Sequence, residues 1–289
     1  MIKKNVARIY LFGGLGNVLF QIAFAKFVSG KRGIRVRLIQ VGRFEFEGLL
    51  KELIQGDWCQ VITQSKIPLK LLSIIYKSLA RIQRKKYFVD INPTERSSKS
   101  VPEFNFQTYF GYFQQLEFAT YAMAELESTI IKNVKSDWYF ENARKIQLDQ
   151  AVGVHIRRGD FIGASSYHGL LNEIYYQNAL DQIPEIKSIW VFSDDLVLAR
   201  ELFEKIEVSC KIHYVNPPSD VAPIESLLLL SLASCQIIAN STFSWWAALM
   251  SHNSKMVIYP KQWLLSQPNF VFSFPGRWQG IDSAWDKRT

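Results

Sequence analysis

Near the middle of the chain, residues 152–160 read VGVHIRRGD. The apolar run 152–156 predicts a short buried strand, and two arginines and a Gly-Asp turn follow at its carboxyl end. In open α/β sheets, ligands bind at this edge. The planar guanidinium forks of Arg157 and Arg158 match a pyrophosphate, although a solvated Arg-Arg pair is the ordinary alternative for the dipeptide alone. The stretch therefore points to an anion site on a parallel sheet.

Strands and helices alternate regularly around this stretch. Strands are predicted at 152–156, 189–192, 212–215, 236–239 and 256–259, with helices at about 174–182, 197–205, 224–233 and 243–251. The first half opens with a strand at 7–12, a helix at about 18–29 and a strand at 36–39, and later has a strand at 105–111 and a helix at 114–132. Such alternation predicts parallel sheets that are covered on both faces.

A glycine-rich turn follows the first strand, where residues 13–17 read GGLGN. Glycines let the backbone approach a ligand closely, and the N-terminus of the following helix favours an anion. The turn differs from the dinucleotide-binding fingerprint, because Leu19 stands where the third glycine belongs. Taken alone, it is a weak indication of a phosphate-binding loop.

Three polar sites fall at predicted strand ends in the second half of the chain. They are His155–Asp160, Ser193–Asp195 and Asn240–Trp246. Because the carboxyl ends of parallel strands share one edge, these sites can surround one nucleotide. The alternatives are that Asp194, Ser241 and Thr242 cap helices. Trp245 and Trp246 are predicted to be core aromatics.

The length of 289 residues predicts two domains. The pattern is weakest over residues 134–150, and the boundary is placed there, giving domains 1–145 and 146–289. Hydrophobic residues make up 48% of the chain and charged residues 21%, which excludes a disordered protein. The net charge of +8 indicates an anionic partner, either nucleic acid, a membrane surface or a phosphorylated substrate.

The three cysteines, Cys59, Cys210 and Cys235, form neither a disulfide framework nor a metal-ligand pattern, which favours a reducing cytoplasm. The N-terminal residues do not read as a signal peptide, since Arg8 and the glycines interrupt the apolar run. The uncharged segment 226–254 is long enough to span a membrane, but its hydroxyl and amide residues favour a helix, a short strand and a second helix.

A basic amphipathic helix is predicted from about residue 67 to 84. No acidic residue lies between Asp57 and Asp90, and the basic residues accompany an apolar stripe. This pattern is typical of attachment to anionic lipid, and an ordinary surface helix that packs its apolar side on the core is the equal alternative.

Together, these motifs resemble the α-1,2-fucosyltransferases of glycosyltransferase family 11. The resemblance runs along the whole chain and rests mainly on the strings HIRRGDF at 155–161 and NSTFSWW at 240–246, supported by the GGLGN turn, GYFQ at 111–114 and SDD at 193–195. It implies an α/β fold of the GT-B type, in which two Rossmann-like domains face a cleft and the C-terminal domain holds GDP-fucose.

The resemblance also implies the site and the reaction. The expected donor-binding residues are Gly14, Asn17, His155, Arg157, Arg158, Ser193, Asp194, Asn240, Ser241 and Thr242. The expected reaction is an inverting transfer of L-fucose to the 2-hydroxyl of a galactose-terminated glycan, in O-antigen or surface polysaccharide synthesis. The cysteine usage predicts a cytoplasmic protein, and the basic helix leaves peripheral contact with the inner face of the membrane, where a lipid-linked acceptor could be presented, as an open alternative.

Catalysis must neutralise the charge that develops on the leaving GDP, by a metal or by fixed cations. The chain has no Asp-x-Asp triplet, so Arg157 and Arg158 are predicted to act without metal or other cofactor. Asp160 is the candidate base for the attacking hydroxyl, and a turn-capping aspartate that faces an arginine is the equal alternative.

Two rival functions stay open on the sequence. One is a GT-B transferase for another nucleotide sugar. The other is a basic nucleic-acid-binding protein, which the net charge suggests. The basic helix lacks the interleaved aromatic residues of single-strand binders, so no nucleic acid partner is expected.

Overall fold

A computed structural model describes residues 6–82, 87–90 and 107–286. The chain divides into two compact units, residues 1–133 and 134–289. The division falls earlier than the predicted one after residue 145, because the helix that begins at Asp137 packs on the second unit.

The described part of the first unit is an alternation of strands and helices. Its elements are β1 (Ala7–Leu11), α1 (Leu15–Arg32), β2 (Val36–Val41), α2 (Glu47–Leu53), β3 (Cys59–Ser65), α3 (Leu69–Ile82), β4 (Tyr87–Asp90), β5 (Thr108–Gly111) and α4 (Leu116–Lys132). The strands pair in parallel in the order β3-β2-β1-β5-β4. The chain leaves β1 towards β2 and later places β5 on the other side of β1, so the connections reverse direction between β1 and β5.

The second unit repeats this organisation. Its elements are α5 (Asp137–Leu148), β6 (Val152–Ile156), a 3₁₀ helix (Gly159–Ala164), α6 (Ser165–His168), α7 (Glu173–Leu180), β7 (Ser188–Ser193), α8 (Leu196–Phe203), β8 (Lys211–Tyr214), α9 (Pro223–Ser231), β9 (Cys235–Ile237), α10 (Thr242–Leu249), β10 (Met256–Pro260) and β11 (Gln279–Ile281). The parallel order is β11-β10-β9-β6-β7-β8. This is the strand order of a dinucleotide-binding fold, and its connections reverse between β6 and β9.

The prediction of two Rossmann-like α/β domains is confirmed. The central strand β6 is buried over its whole length, as expected for a parallel sheet that helices cover on both faces. A side chain at Gly153 would overlap Leu230 and Ala233, so this glycine allows the segment around α9 to pack closely on the sheet. Trp245 and Trp246 are fully buried, which confirms that they belong to the core.

The segment 134–150, where the sequence pattern is weakest, is a structured part of the second unit. Helix α5 fills it, with Ser136 as N-cap accepting a hydrogen bond from the Tyr139 N–H at 3.0 Å. The Ser136 hydroxyl in turn donates to the buried carboxylate of Glu225 at the start of α9. Only Asn142 and Ile146 of this helix are buried, which explains why its apolar periodicity is weak.

The other differences concern short elements. The sequence did not predict α2, β3, β4 and β11. The predicted basic helix begins slightly earlier than the observed helix α3. Residues 226–254 form the end of α9, then β9 and α10, which confirms the predicted helix, strand and helix. Among the helices that the structure describes, none combines the length and apolarity needed to cross a membrane. None of the three cysteines, all of which the structure describes, forms a disulfide bond; Cys235 is buried and the other two are half-buried.

Candidate active site

Arg157 leaves the carboxyl end of β6 and lies between two carboxylates. Its Nη2 donates to Asp160 Oδ1 at 2.5 Å, and its Nη1 lies 3.1 Å from Asp194 Oδ2. The guanidinium also lies over the ring of Phe161, 5.2 Å from its centroid. The side chain is 26% exposed, and its buried Nε has no hydrogen-bond partner among the described residues. Arg157 is therefore a partly open cation that two carboxylates hold in place.

Arg158 has a different environment from its neighbour. Its side chain is buried, and the two terminal nitrogens donate to backbone carbonyls, Nη1 to Arg157 O at 3.0 Å and Nη2 to Leu171 O at 2.7 Å. The fork thus braces the loop that follows β6, and the pyrophosphate contact of Arg158 stays a prediction. Burial of a guanidinium is tolerated when its donors are satisfied in this way.

Asp194 fixes both arginines of the pair. One carboxylate oxygen accepts from the Arg158 backbone N–H at 2.8 Å, and the other pairs with Arg157. A Cβ at Gly159 would overlap this carboxylate, so the glycine allows Asp194 to approach the chain closely. Asp194 is not the helix cap that the sequence allowed. That role belongs to Asp195, which accepts from the first N–H groups of α8.

Ser193 shapes the turn after β7. Its hydroxyl donates to Asp195 O at 3.0 Å and accepts from the Asp195 N–H at 3.1 Å. Ser193, which is predicted to bind the nucleotide sugar, therefore also stabilises its own turn.

His155 is a buried, neutral imidazole. It is 3% exposed, stacks on Phe243 with centroids 5.3 Å apart, and its Nδ1 has no hydrogen-bond partner among the described residues. Burial, and secondly the charge of Arg157, lower the pKa of His155 to about 3. The ring thus acts as an apolar wall beside Arg157 rather than as a second cation.

The third strand end is braced by amide and hydroxyl groups. The amide nitrogen of buried Asn240 donates to His168 O at 2.9 Å and to Trp263 O at 3.2 Å. Ser241 is the N-cap of α10, which confirms the capping alternative for this residue, and Thr242 is the first residue of that helix. Asn240 therefore ties the segment after α6 to the end of β9.

The sheet brings these three strand ends together. The register pairs Ile156 with Ser193 and Val154 with Ile237, so β7 and β9 flank β6 on either side. The predicted co-location is confirmed, and it falls at the reversal of the strand connections, where open α/β sheets bind ligands.

Two tyrosines for which the sequence predicted no role hold this edge. Tyr175 donates to Ile238 O at 2.7 Å and Tyr176 to His155 O at 3.1 Å, and both side chains are fully buried. In the sequence, the pair of adjacent tyrosines near the start of α7, the helix after β6 and its loop, was the feature that could have indicated this role.

A cavity of about 330 Å³ adjoins Arg158 in the second unit. Its lining combines apolar side chains and carboxylates and includes Ile162, Leu170, Glu173, Leu198 and Glu201. This volume falls at the small end of small-molecule sites. This cavity was not predicted from the sequence, because the residues that line it are scattered over the loop after β6 and over α7 and α8.

The glycine turn of the first unit is built from neutral groups. Gly13 adopts φ 87°, and Gly14 is the N-cap of α1 with open space where a side chain would lie. The amide nitrogen of Gln114, in the segment after β5, donates to Asn17 Oδ1 at 2.8 Å. Gly14 and Asn17 thus lie together at the end of β1, in the first unit, while the other predicted site residues belong to the second.

Buried Gln21 supports the same turn and was not singled out as a functional residue. Its side-chain oxygen accepts from the Phe12 N–H at 2.9 Å, and its nitrogen donates to Gly111 O at 3.1 Å. It therefore joins the ends of β1 and β5. In the parts of the chain that the structure covers, no group of three or more His, Cys, Asp or Glu residues is arranged to hold a metal ion.

Comparison with known proteins defines the class. Residues 61–281, about three quarters of the chain, match Glycosyl transferase family 11. The chain belongs to this family and is a glycosyltransferase.

The individual relatives are similar to the chain at low sequence identity. The chain is 26% identical to the O-antigen biosynthesis glycosyltransferase WbnK of Escherichia coli, with 88% of this chain and 93% of that protein covered. It is also 26% identical to an α-1,2-colitosyltransferase of Escherichia coli, over 94% of this chain and 97% of that protein. Among solved structures, the α-1,6-fucosyltransferase NodZ of Bradyrhizobium, soaked with GDP-fucose, covers 92% of this chain and 97% of its own, at 13% identity and a TM-score of 0.49.

Proposed function

We propose that this glycosyltransferase moves L-fucose from GDP-fucose to the 2-hydroxyl of a galactose-terminated glycan. The observation that carries the proposal is Arg157, a partly open guanidinium at the end of β6, beside the reversal of the strand connections. A fixed cation at this position suits the phosphates of a nucleotide sugar. Membership of family 11 supports glycosyl transfer, and the α-1,2 linkage in the name of one relative supports the 2-hydroxyl as acceptor.

The proposed reaction is a single displacement. The acceptor oxygen attacks C1 of fucose from the face opposite GDP, and the bond between C1 and the β-phosphate oxygen breaks with its electron pair going to GDP. The donor linkage is β, so the product linkage is α. Arg157 stabilises the charge that accumulates on the leaving phosphate, where a preorganised donor contributes most.

Asp160 is proposed to accept the proton of the attacking hydroxyl. Its carboxylate is 70% exposed and lies at the same strand end as Arg157. The ion pair between Asp160 and Arg157 also agrees with the alternative that Asp160 is a turn-capping aspartate that faces an arginine. Asp160→Asn separates the two roles. Loss of a base lowers kcat and flattens its acidic limb, whereas loss of a partner for Arg157 is reproduced by Asp194→Asn.

Colitosyl transfer is the second candidate, because a relative that aligns over 97% of its own length is an α-1,2-colitosyltransferase. Colitose is fucose without the 3-hydroxyl, so the two donors would share the same phosphate contacts and differ at one polar contact to the sugar. A site that hydrogen-bonds the 3-hydroxyl discriminates strongly against the deoxy sugar, while an apolar wall tolerates both.

A panel of nucleotide sugars tests the proposal. GDP-fucose, GDP-colitose, GDP-mannose and UDP-galactose are compared by thermal stabilisation of the protein and by transfer to a galactose-terminated acceptor. We expect GDP-fucose to stabilise the protein and to give an α-linked product. We expect no product when the acceptor is 2-deoxygalactose. Transfer from a UDP sugar alone, or binding of oligonucleotides without response to GDP, would overturn it.

Metal independence is part of the proposal, since Arg157 can supply the charge that a divalent ion otherwise provides. Turnover in excess EDTA is expected to equal turnover in Mn²⁺ or Mg²⁺. Loss of turnover in EDTA with recovery in Mn²⁺ would contradict it. The E. coli relative named for O-antigen biosynthesis supports a role in surface polysaccharide synthesis, and the cytoplasm is the proposed compartment.

A further inference from the structure

Helix α3, with Ile67 just before it, carries an apolar stripe that none of the described residues covers. The stripe consists of Ile67, Leu71, Ile74 and Ile82, which are 41%, 49%, 63% and 78% exposed. Within the helix, Leu71, Ile74 and Ile82 recur at the spacing of one helical face. By the rise of 1.5 Å per residue, the stripe is roughly 20 Å long.

A different face of α3 holds the helix to the first unit. Leu72 is 3% exposed, and Leu69 and Tyr76 pack with it on the core cluster that includes Tyr10 and Phe110. The Tyr76 hydroxyl also lies 2.6 Å from the Tyr10 hydroxyl. An ordinary surface helix buries its apolar residues in this way. Here the core face is already satisfied, and the exposed stripe is a second apolar surface on the same helix.

Basic side chains run beside the stripe. Lys70, Lys77 and Arg81 are exposed, and two of them immediately precede stripe residues, so by helical periodicity they form a row along one of its edges. Lys66 is exposed at the beginning of the stripe. No acidic residue occurs between Asp57 and Asp90, and within the described part of the chain these four cations form no ion pair.

We propose that the stripe and its basic row dock the enzyme on an anionic lipid surface. Aliphatic side chains next to unpaired cations complement the acyl boundary and the headgroups of such a membrane at once. A nucleic acid would use the cations but not the aliphatic residues, and it favours exposed aromatic rings, whereas Tyr76 packs on the core. The inference is independent of the proposed donor.

Co-sedimentation with vesicles tests the docking surface. Wild-type protein is expected to sediment with vesicles of phosphatidylglycerol and phosphatidylcholine at low salt, and not with phosphatidylcholine alone. The charge variant Lys70→Gln, Lys77→Gln, Arg81→Gln is expected to bind about 100-fold more weakly, since each charge contributes about fivefold near an anionic surface. High salt should reduce binding of the wild type similarly.

The stripe variant Leu71→Gln, Ile74→Gln, Ile82→Gln keeps all charges and is expected to lose at least tenfold in vesicle binding. Its matched control replaces equally exposed apolar residues elsewhere, Ile131→Gln, Leu148→Gln, Val271→Gln, and the control for the charge variant is Lys51→Gln, Lys132→Gln, Lys255→Gln. Both controls should bind like the wild type, and all variants should keep the wild-type circular dichroism and their turnover of a soluble acceptor.

Two results would overturn the docking proposal. The wild type could fail to sediment with anionic vesicles, or the stripe variant could bind vesicles as well as the wild type. In the second case, loss of both vesicle and oligonucleotide binding in the charge variant would assign the cations to a nucleic acid or another polyanion.

Discussion

Each sheet of this protein has one point where the strand connections reverse, and the two points are built differently. At the end of β6, beside the reversal towards β9, charged groups meet: Arg157 is held by Asp160 in the loop after β6 and by Asp194 after β7. Between β1 and β5, neutral amides meet, with Gln114 donating to Asn17. The backbone ends are clamped by buried side chains in both places, by tyrosines in the second unit and by Gln21 in the first.

The same strand topology thus presents a charged hydrogen-bond donor in one unit and neutral hydrogen-bond donors in the other. The second unit offers a permanent charge whose position is fixed by carboxylates before substrate arrives, which is the arrangement that stabilises a developing negative charge. The first unit offers a glycine turn and an oriented amide, which can position a ligand but carry no charge. Variants at the charged point should therefore affect the chemical step far more than variants at the neutral point.

The largest expected effect is that of Arg157→Ala. Loss of this partly open guanidinium should lower kcat/KM for the nucleotide sugar about 100- to 1000-fold, with little change in the free energy of unfolding, because its ion pairs are partly exposed. Steady-state kinetics and urea unfolding measure the two quantities. Arg157→Lys should recover little, since a point charge does not reproduce the fork. Near-normal kcat/KM for the alanine variant would place the phosphate contact elsewhere.

Arg158→Ala should show the reverse pattern. The buried guanidinium donates to two backbone carbonyls, and its removal leaves Leu171 O and Arg157 O without these partners. The free energy of unfolding should fall by about 3 kcal/mol, as for loss of charged hydrogen bonds in the interior. If urea unfolding shows a loss below about 1 kcal/mol while kcat/KM collapses, Arg158 contacts the donor directly and the two arginines share one role.

These two arginines also show what the sequence could and could not reveal. The string VHIRRGD predicts a strand, its end and a cationic turn, because apolar runs and Gly-Asp signals are local. Which arginine turns inward depends on Leu171 O and Asp194, which are distant in sequence. The same limit explains α5, whose capping through Ser136 and Glu225 joins residues far apart in the chain. Co-location of the three strand ends was predictable, since parallel pairing places them at one edge.

Acidification probes the buried wall beside Arg157. The folded-state pKa of His155 is lowered to about 3, from 6.5 in the ordinary state. The unfolded chain therefore binds a proton that the folded chain does not between these values. Stability from the neutral ring is fully present above pH 6.5 and declines as the pH falls towards 3, by about 2 kcal/mol at pH 5. His155→Phe keeps the stacking with Phe243 and should show a shallower decline between pH 7 and 5 in urea unfolding. Equal slopes for the two proteins would mean that the imidazole is not buried as a neutral ring.

The smallest expected effect belongs to the neutral point of the first unit. The hydrogen bond from Gln114 to Asn17 is partly buried and uncharged, so it should couple the two residues by about 1 kcal/mol. A double-mutant cycle of Asn17→Ala and Gln114→Ala in urea unfolding measures this coupling free energy. In the same variants, kcat/KM should fall less than in Arg157→Ala, because no charge is lost. An Asn17→Ala enzyme as impaired as Arg157→Ala, with no coupling to Gln114, would give the amide a direct role in transfer and remove the distinction between the charged and the neutral point.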